Sequence, residues 1–220
     1  MRVLIIGASG GIGAALAAQA RARGADVTGL SRRDDGLDVT DEASVARHLG
    51  ALTGAFDRVL VASGALVING QGPEKSLRAL DPGALAAQFA VNAIGPALVL
   101  KHAARLLPRD RRAVFAALSA RVGSIGDNRA GGWYGYRAAK AALNQMLRSA
   151  AVELARSHPH LACVALHPGT VATEFTRDYL GRHPAVAPSE AAANLWRVIE
   201  GLGPQDSGCF LDWAGKTVPW

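Results

Sequence analysis

A tyrosine and a lysine one helical turn apart are the residues of this sequence best suited to proton transfer. Tyr136 and Lys140 lie in YRAAK at positions 136–140, at the start of an alanine-rich stretch, and this spacing places both side chains on one face of a helix. Lowering the pKa of a phenol from about 10 to about 7 takes roughly 4 kcal/mol. One ammonium about 4 Å away supplies roughly that amount at an effective dielectric near 20. Alone, the pattern is more often an exposed helix face.

A glycine-rich turn near the amino terminus is the second candidate. GASGGIG at positions 7–13 follows a strand pattern and precedes a helical pattern, the context that a dinucleotide-binding turn requires. Glycines let the backbone approach a pyrophosphate, and the amides at the helix start attract its charge. By itself such a turn is weak evidence, because a tight turn without ligand has the same composition. The candidate contacts are Gly7, Ser9, Gly10, Gly11, Ile12 and Gly13.

The residues after the second predicted strand bear on cofactor choice. An NAD site usually has an acid about 20 positions beyond the glycine turn, whereas this chain has Ser31, Arg32 and Arg33. An arginine there can pair with a 2′-phosphate through charge-assisted bonds. We therefore favour NADP(H), with NAD(H) possible. The alternative is that both arginines only solvate a surface loop beside Asp34 and Asp35.

Short apolar runs alternate with long Ala/Leu-rich stretches, a pattern typical of strands and helices taking turns. It predicts an α/β fold, a Rossmann-type doubly wound parallel sheet with helices on both faces, as a single domain over 1–220. The predicted strands are Arg2–Ile6, Asp26–Leu30, Arg58–Ala62, Ala113–Leu118, Leu161–Leu166 and Phe210–Asp212. The predicted helices are Gly11–Arg23, Ala43–Leu49, Pro82–Leu106, Tyr136–Ser157 and Ser189–Gly201.

Composition excludes several protein classes. With 220 residues, 50% hydrophobic and 19% charged, the chain can bury about 70% of its unfolded surface, so disorder is excluded as its main state. The net charge of +6 comes from scattered arginines, without the basic stripe or interleaved aromatics of a nucleic-acid partner. Two distant cysteines and dispersed histidines predict neither disulfide nor metal site.

Targeting signals are not predicted either. Glycines interrupt the first apolar run too early for a secretory signal. The stretch Ala84–Leu100 lacks charge but contains Gln88, Asn92 and Pro96, so we predict a buried helix rather than a membrane span. We expect a cytoplasmic protein without a membrane partner.

Three further motifs complete a recognisable pattern: VNAIG at 91–95, GSIGDN at 123–128 and PGTVAT at 168–173. In this order and spacing, the sequence resembles the short-chain dehydrogenase/reductase family, and within it the subgroup of C-factor and the carbonyl reductase Sniffer. The motifs span nearly the whole chain. The stretch from SGCFLDW at 207–213 to position 220 is similar to the carboxyl terminus of that subgroup, so we expect a complete protein.

The resemblance implies roles for individual residues. Tyr136 transfers the proton, Lys140 lowers the pKa of Tyr136 and binds the nicotinamide ribose, and Asn92 completes a proton relay through water. A serine holds the substrate oxygen. The implied cofactor contacts are Asp38 and Val39 at the adenine, Ala62, Ser63 and Gly64 beneath it, and Pro168, Gly169, Val171 and Thr173 in the Pro-Gly motif.

The chain departs from the family pattern at the substrate oxygen. The usual serine pair after the fifth core strand is Ser119-Ala120 here, and Ala120 occupies the usual catalytic position. Ser119 or Ser124 could replace the missing hydroxyl, and if neither reaches, the rate falls about a hundredfold or more. Two other departures are VASG at 61–64 and a missing stretch between Arg33 and Asp38, which predicts an abbreviated second helix and third strand.

These observations together predict an NADP(H)-dependent oxidoreductase that reduces a small-molecule aldehyde or ketone, or oxidises the matching alcohol. The alternative is a nucleotide-binding, C-factor-like signalling protein with little turnover. The family resemblance implies a homodimer or homotetramer formed through the helices Pro82–Leu106 and Tyr136–Ser157. The segment 174–188, rich in turn residues, is a possible substrate lid.

Overall fold

Six parallel strands form one sheet in the computed structural model, which describes residues 1–181 and 184–220. They are β1 (Arg2–Ile6), β2 (Asp26–Leu30), β3 (Arg58–Val61), β4 (Ala113–Leu118), β5 (Leu161–His167) and β6 (Phe210–Asp212), in the order β2-β1-β3-β4-β5-β6. The order reverses between β1 and β3. In open α/β sheets, ligands bind beyond the carboxyl ends of the strands at such a switch point, so this edge is where a site is expected.

Helices cover both faces of the sheet, as the fold prediction requires. They are α1 (Gly11–Ala22), α2 (Arg32–Asp35), α3 (Glu42–Gly50), α4 (Pro82–Phe89), α5 (Gly95–Ala103), α6 (Tyr134–Leu154) and α7 (Pro188–Gly201). One apolar core lies against α3, α5 and α6, and a second lies against α1 and α7. In the second core the fully buried Trp196 donates its indole N–H to the Leu16 carbonyl at 3.1 Å, so its polar group is satisfied.

The predicted strands agree with the structure to within one residue at each end, but one helix prediction is wrong. Pro82–Leu106 is not a single α-helix: a π-helical turn, Ala90–Ile94, separates α4 from α5, and a 3-10 turn ends the segment. Pro96 explains the break, because it has no N–H to donate to the carbonyl of Asn92. The turn places Asn92 inside the protein, fully buried; such π-turns often mark functional sites.

The same segment is long and apolar enough to cross a membrane by length and composition alone. In the fold, α4 packs against α6, and α5 packs against α3. Its buried polar side chains, Gln88 and Asn92, are hydrogen-bonded to backbone carbonyls of neighbouring residues. These contacts are those of helices packed in a protein core, although the predicted single buried helix is divided in two.

Candidate active site

A cavity of about 700 Å³ opens at the carboxyl ends of the strands. One end is formed by the glycine turn after β1, and the other by the start of α6 and the loop before it. Of the predicted site residues, those lining it are Gly10, Gly11, Ile12, Ala62, Ser63, Gly64, Ser119, Tyr136, Lys140, Pro168, Gly169, Val171 and Thr173. The structure thus brings the cofactor candidates and the reacting pair to one cavity.

The glycine turn is built for close backbone approach. Gly7 has φ +84°, and a Cβ there would lie 2.7 Å from the Ser63 amide nitrogen. A Cβ on Gly13 would clash with the Gly7 carbonyl, and one on Gly11 would lie 2.6 Å from Thr173 Cγ2. These positions therefore exclude side chains. The amide of Gly7 donates to the Leu30 carbonyl at 2.7 Å, which ties the turn to the end of β2.

Two observations indicate that these residues fit a dinucleotide. The start of α1 has no side-chain cap and no acid in its first turn, so its free amides and positive dipole suit a pyrophosphate. The Ser63 Oγ and His167 Nδ1 atoms are buried in the cavity wall without a hydrogen-bond partner among the described residues. Buried polar atoms are normally satisfied, so both atoms point to a polar ligand.

Arg32 and Arg33, which follow β2, differ in their contacts. Ser31 is buried and its hydroxyl accepts from the Asp34 amide at 3.0 Å, so it caps the one-turn helix α2. Arg33 pairs with the Asp34 carboxylate at 3.0 Å, whereas the Asp35 carboxylate accepts from the Ser31 amide at 2.7 Å. Arg32 has no ion pair with any described residue. It is therefore the better candidate for an anionic group.

Of the predicted adenine contacts Asp38 and Val39, Val39 lies against the start of α5. Thr40 donates to the Asp38 carboxylate through its amide, at 2.8 Å, and through its hydroxyl, and these bonds lower the pKa of Asp38. A Cβ on Gly95 would lie 2.9 Å from Val39 Cγ2, so glycine at position 95 lets the 38–40 turn approach the π-helical turn. Neither Asp38 nor Val39 lines the cavity described above.

Tyr136 and Lys140 are buried on one face of α6, as the spacing predicts. The Lys140 ammonium lies 5.7 Å from the centre of the Tyr136 ring and donates to the Leu118 carbonyl at 2.9 Å. Burial lowers the pKa of Lys140 to about 7 and raises the pKa of Tyr136 above its ordinary value. Desolvation causes both shifts, so the protein residues alone do not give the acidified phenol that the spacing predicts, and that acidification stays a prediction.

The structure distinguishes the two candidate serines. Ser119 is buried at the cavity wall, and its hydroxyl donates to Asn144 Oδ1 at 2.6 Å. Ser124 does not line the cavity; its hydroxyl accepts from the Asp127 amide at 3.1 Å and stabilises a turn. Ala120 lines the cavity without a hydroxyl. Ser119 is thus the candidate that the geometry favours.

Asn92 does not line the cavity itself, and it contacts the site through the loop after β3. Its side-chain oxygen accepts from the Ala65 amide at 3.1 Å, and its nitrogen donates to the Ala65 carbonyl and to Gln88 Oε1, both at 2.8 Å. These bonds fix the loop after β3. A Cβ on Gly64 would lie 3.1 Å from Asn92 Oδ1 and 3.7 Å from Lys140 Nζ, so Asn92 and Lys140 flank the same backbone.

Several cavity residues were not predicted. Trp133, Phe175 and Tyr179 form an aromatic wall around Tyr136, with ring centres 5.0 to 6.3 Å apart. Trp133 has φ +54°, a conformation rare for a bulky residue. Beside this wall, the buried Glu74 carboxylate accepts from the Gly135 amide at 3.0 Å. Glu74 therefore holds the amino-terminal end of the helix that carries Tyr136.

His167 is a further cavity residue that sequence reasoning missed. It ends β5 directly before Pro168, and burial, with a smaller contribution from nearby Arg121, lowers its pKa to about 4. The imidazole is therefore neutral near pH 7. Among the described residues, no group of three or more His, Cys, Asp or Glu side chains could hold a metal ion; His183 lies outside them.

The family of the chain follows from its similarity to known proteins. The family model of short chain dehydrogenases matches residues 1–182 of this chain. The chain belongs to this family. A curated relative from Rhodococcus sp. (strain AD45), 1-hydroxy-2-glutathionyl-2-methyl-3-butene dehydrogenase, is 32% identical and aligned over 99% of both chains. The C-signal of Myxococcus xanthus is 37% identical over 62% of this chain and 78% of its own length.

Solved structures of this short-chain dehydrogenase family have the same fold. A putative member from Burkholderia multivorans with bound NADP is 26% identical, has a TM-score of 0.79, and aligns with 100% of this chain and 99% of its own. The carbonyl reductase Sniffer of D. melanogaster aligns over the same shares at TM-score 0.80 and 19% identity, which shows the fold. The predicted family is confirmed, and the chain is an oxidoreductase of this family.

Proposed function

We propose that this enzyme reduces an aldehyde or ketone with NADPH, or oxidises the matching alcohol with NADP+. The observation that carries the proposal is that Tyr136 and Lys140 open into the cavity that begins at the glycine turn. The cofactor, when bound, supplies or accepts the hydride. In the Burkholderia structure the bound cofactor is NADP, and Arg32 gives this chain a cation suited to a 2′-phosphate.

In this proposal the protein residues bind the cofactor and the substrate and transfer the proton. Gly10 to Ile12, Ser63 and the 168–173 motif hold the dinucleotide. Tyr136 gives its hydroxyl proton to the substrate oxygen, Lys140 would bind the nicotinamide ribose and stabilise the Tyr136 phenolate, and Ser119 holds the oxygen. The aromatic wall excludes water and contacts the carbon skeleton of the substrate.

The charge at the far end of the cavity supports a substrate with an anionic group. Arg137 is partly buried, and its Nε and Nη1 donate hydrogen bonds to the Gly132 and Val122 carbonyls at 3.0 and 3.2 Å. Burial lowers its pKa, and among the described residues neither Arg137 nor the exposed Lys75 pairs with an acid, whereas Glu174 at the same cavity already pairs with Arg177. A cation without a partner at a cavity wall favours an anionic ligand.

The direct test is oxidation of NADPH, followed at 340 nm, with a panel of aldehydes, ketones and quinones. The panel should contain 4-carboxybenzaldehyde and its methyl ester, which differ only in the anionic group. We expect turnover with at least one carbonyl and a higher kcat/KM for the free acid. Binding of NADPH without turnover of any carbonyl, and of NADP+ without turnover of alcohols, would contradict the proposal.

Cofactor selection gives a second prediction. Arg32→Ala should weaken NADPH binding by about tenfold or more and leave NADH binding within about twofold, because only NADPH carries the 2′-phosphate that a charge-assisted bond would hold. Fluorescence titration with both nucleotides measures this. Arg33→Ala is the matched control, since Arg33 already pairs with Asp34; equal losses for NADPH and NADH in Arg32→Ala would move the site elsewhere.

A signalling protein with little turnover is the second candidate. It is favoured by Ala120 at the usual serine position and by the similarity to the C-signal of Myxococcus xanthus. Both candidates bind NADPH, but only the enzyme oxidises it in the panel described above.

Three further expectations belong to this proposal. Assembly as a homodimer or homotetramer would cover Ile94, Met146 and Val152, which are exposed on the helices predicted to form the interface. A cytoplasmic location also stays a prediction. So does the lid at 174–188, of which residues 182 and 183 lie outside the described residues; its part 174–179 forms a 3-10 turn at the cavity.

A further inference from the structure

Asn144 continues the polar face of the catalytic helix. It follows Lys140 by four residues and Tyr136 by eight, so the three side chains lie along one face of α6. Asn144 is 2% exposed, and its Oδ1 accepts the Ser119 hydroxyl at 2.6 Å. Its Nδ2 is buried without a hydrogen-bond partner among the described residues. An unsatisfied buried N–H group is unusual and calls for an explanation.

The direction of the Ser119 bond decides what this serine can do. A serine hydroxyl has one proton to donate, and here that proton points to Asn144 and away from the cavity. A half-turn of the Asn144 amide exchanges Oδ1 and Nδ2. Nδ2 then donates to Ser119 Oγ, and the Ser119 proton becomes available to an oxygen in the cavity.

The two amide orientations are closely balanced in the protein alone. Each makes one hydrogen bond between Asn144 and Ser119, and each leaves one amide atom without a partner. A substrate oxygen that accepts the Ser119 proton adds a bond in the second orientation only. Because a ligand shifts an equilibrium by its differential interaction with the two states, a carbonyl oxygen in the cavity favours the second orientation.

We propose that Asn144 is a positioning residue whose amide turns over to release the Ser119 proton to the substrate oxygen. The inference rests on the proposed function and adds a residue to it. It also explains how a chain with Ala120 at the usual serine position keeps a hydroxyl donor. Asn144 itself touches neither substrate nor cofactor in this role.

The test is a double-mutant cycle on Ser119→Ala and Asn144→Asp, with kcat measured for NADPH and the best carbonyl of the panel. The ionised carboxylate that Asn144→Asp introduces can only accept hydrogen bonds, so it keeps the Ser119 proton away from the cavity. We expect each single variant to lower kcat about a hundredfold near pH 8. The double variant should be no slower than Ser119→Ala, because Asn144 acts only through Ser119.

A pH profile gives a readout that a purely structural role does not move. When the new carboxyl group is protonated it can donate to Ser119, as Nδ2 does, so kcat of Asn144→Asp should recover relative to wild type as pH falls. Gln145→Glu is the matched control, because it makes the same charge change at the next residue, which is exposed; its kcat should stay within about twofold.

Three results would overturn the inference. Equal loss from Asn144→Asp with and without the Ser119 hydroxyl assigns Asn144 a structural role. Unchanged kcat in Ser119→Ala removes the serine from the reaction while the proposed function stands. An inactive wild-type protein overturns both. If Asn144→Asp does not fold, Asn144→Leu enters the same cycle, and its effect must likewise disappear in the Ser119→Ala background.

Discussion

Tyr136→Phe should lower kcat for carbonyl reduction by about a thousandfold and change NADPH affinity by less than about threefold. The substitution removes only the hydroxyl that transfers the proton, a function that commonly contributes about 10²- to 10⁴-fold. The ring contacts with Trp133 and Phe175 need no hydroxyl, so the cavity keeps its shape. Steady-state oxidation of NADPH gives kcat, and a fluorescence titration gives the affinity.

Tyr134→Phe is the control for this experiment. Tyr134 lies two residues earlier on the same helix and does not line the cavity, so its substitution should leave kcat close to wild type. Full activity in Tyr136→Phe would remove the proposed proton donor. Equal losses in both variants would point to a general disturbance of α6.

Lys140→Met should abolish turnover and stabilise the cofactor-free protein. Burial lowers the pKa of Lys140 to about 7 from its ordinary 10.5, which corresponds to a free-energy cost on the order of 4 kcal/mol at neutral pH. Methionine avoids this cost but leaves the Leu118 carbonyl without a donor, a loss of about 1 to 2 kcal/mol. We expect a net gain of about 2 kcal/mol, or roughly 5 °C in Tm.

The pH dependence of stability supplies the check. Because the pKa of Lys140 is lower in the folded state, the unfolded chain binds more protons between about pH 7 and 10. Stability from this group therefore rises with pH across that window, and Lys140→Met should remove that part of the rise. Calorimetry of both proteins at several pH values measures it; a lower Tm in Lys140→Met at pH 7 would show that the lysine stabilises the fold.

The sheet was predictable because most of its strands are short apolar runs, and β1, β2, β4 and β5 are followed directly by glycine, serine or proline. β1, β2, β4 and β6 have the bounds that the pattern predicts, and the helices of both faces follow from the alternation. The helix 82–106 was mispredicted because periodicity does not register the missing N–H of Pro96. That residue breaks the hydrogen-bond pattern without altering the apolar repeat.

At the site, contacts between residues close in sequence were predictable, and contacts between residues far apart in sequence were not. Tyr136 and Lys140 share a helix face, and Gly7 to Gly13 form one turn, so the chain order contains their geometry. Phe175 reaches Tyr136 from a distant loop, and no spacing reveals that contact. Asn144 was within reach of sequence reasoning, since it continues the four-residue repeat begun by Tyr136.

The contact between Gly11 and Thr173 joins the two ends of the cavity. Thr173 packs on the glycine turn, and in the same short turn Phe175 packs on the Tyr136 ring. If a bound nucleotide displaces this turn, the displacement reaches the Phe175 ring and, through it, Tyr136. By thermodynamic reciprocity, any factor by which the nucleotide changes carbonyl affinity must equal the factor by which the carbonyl changes nucleotide affinity.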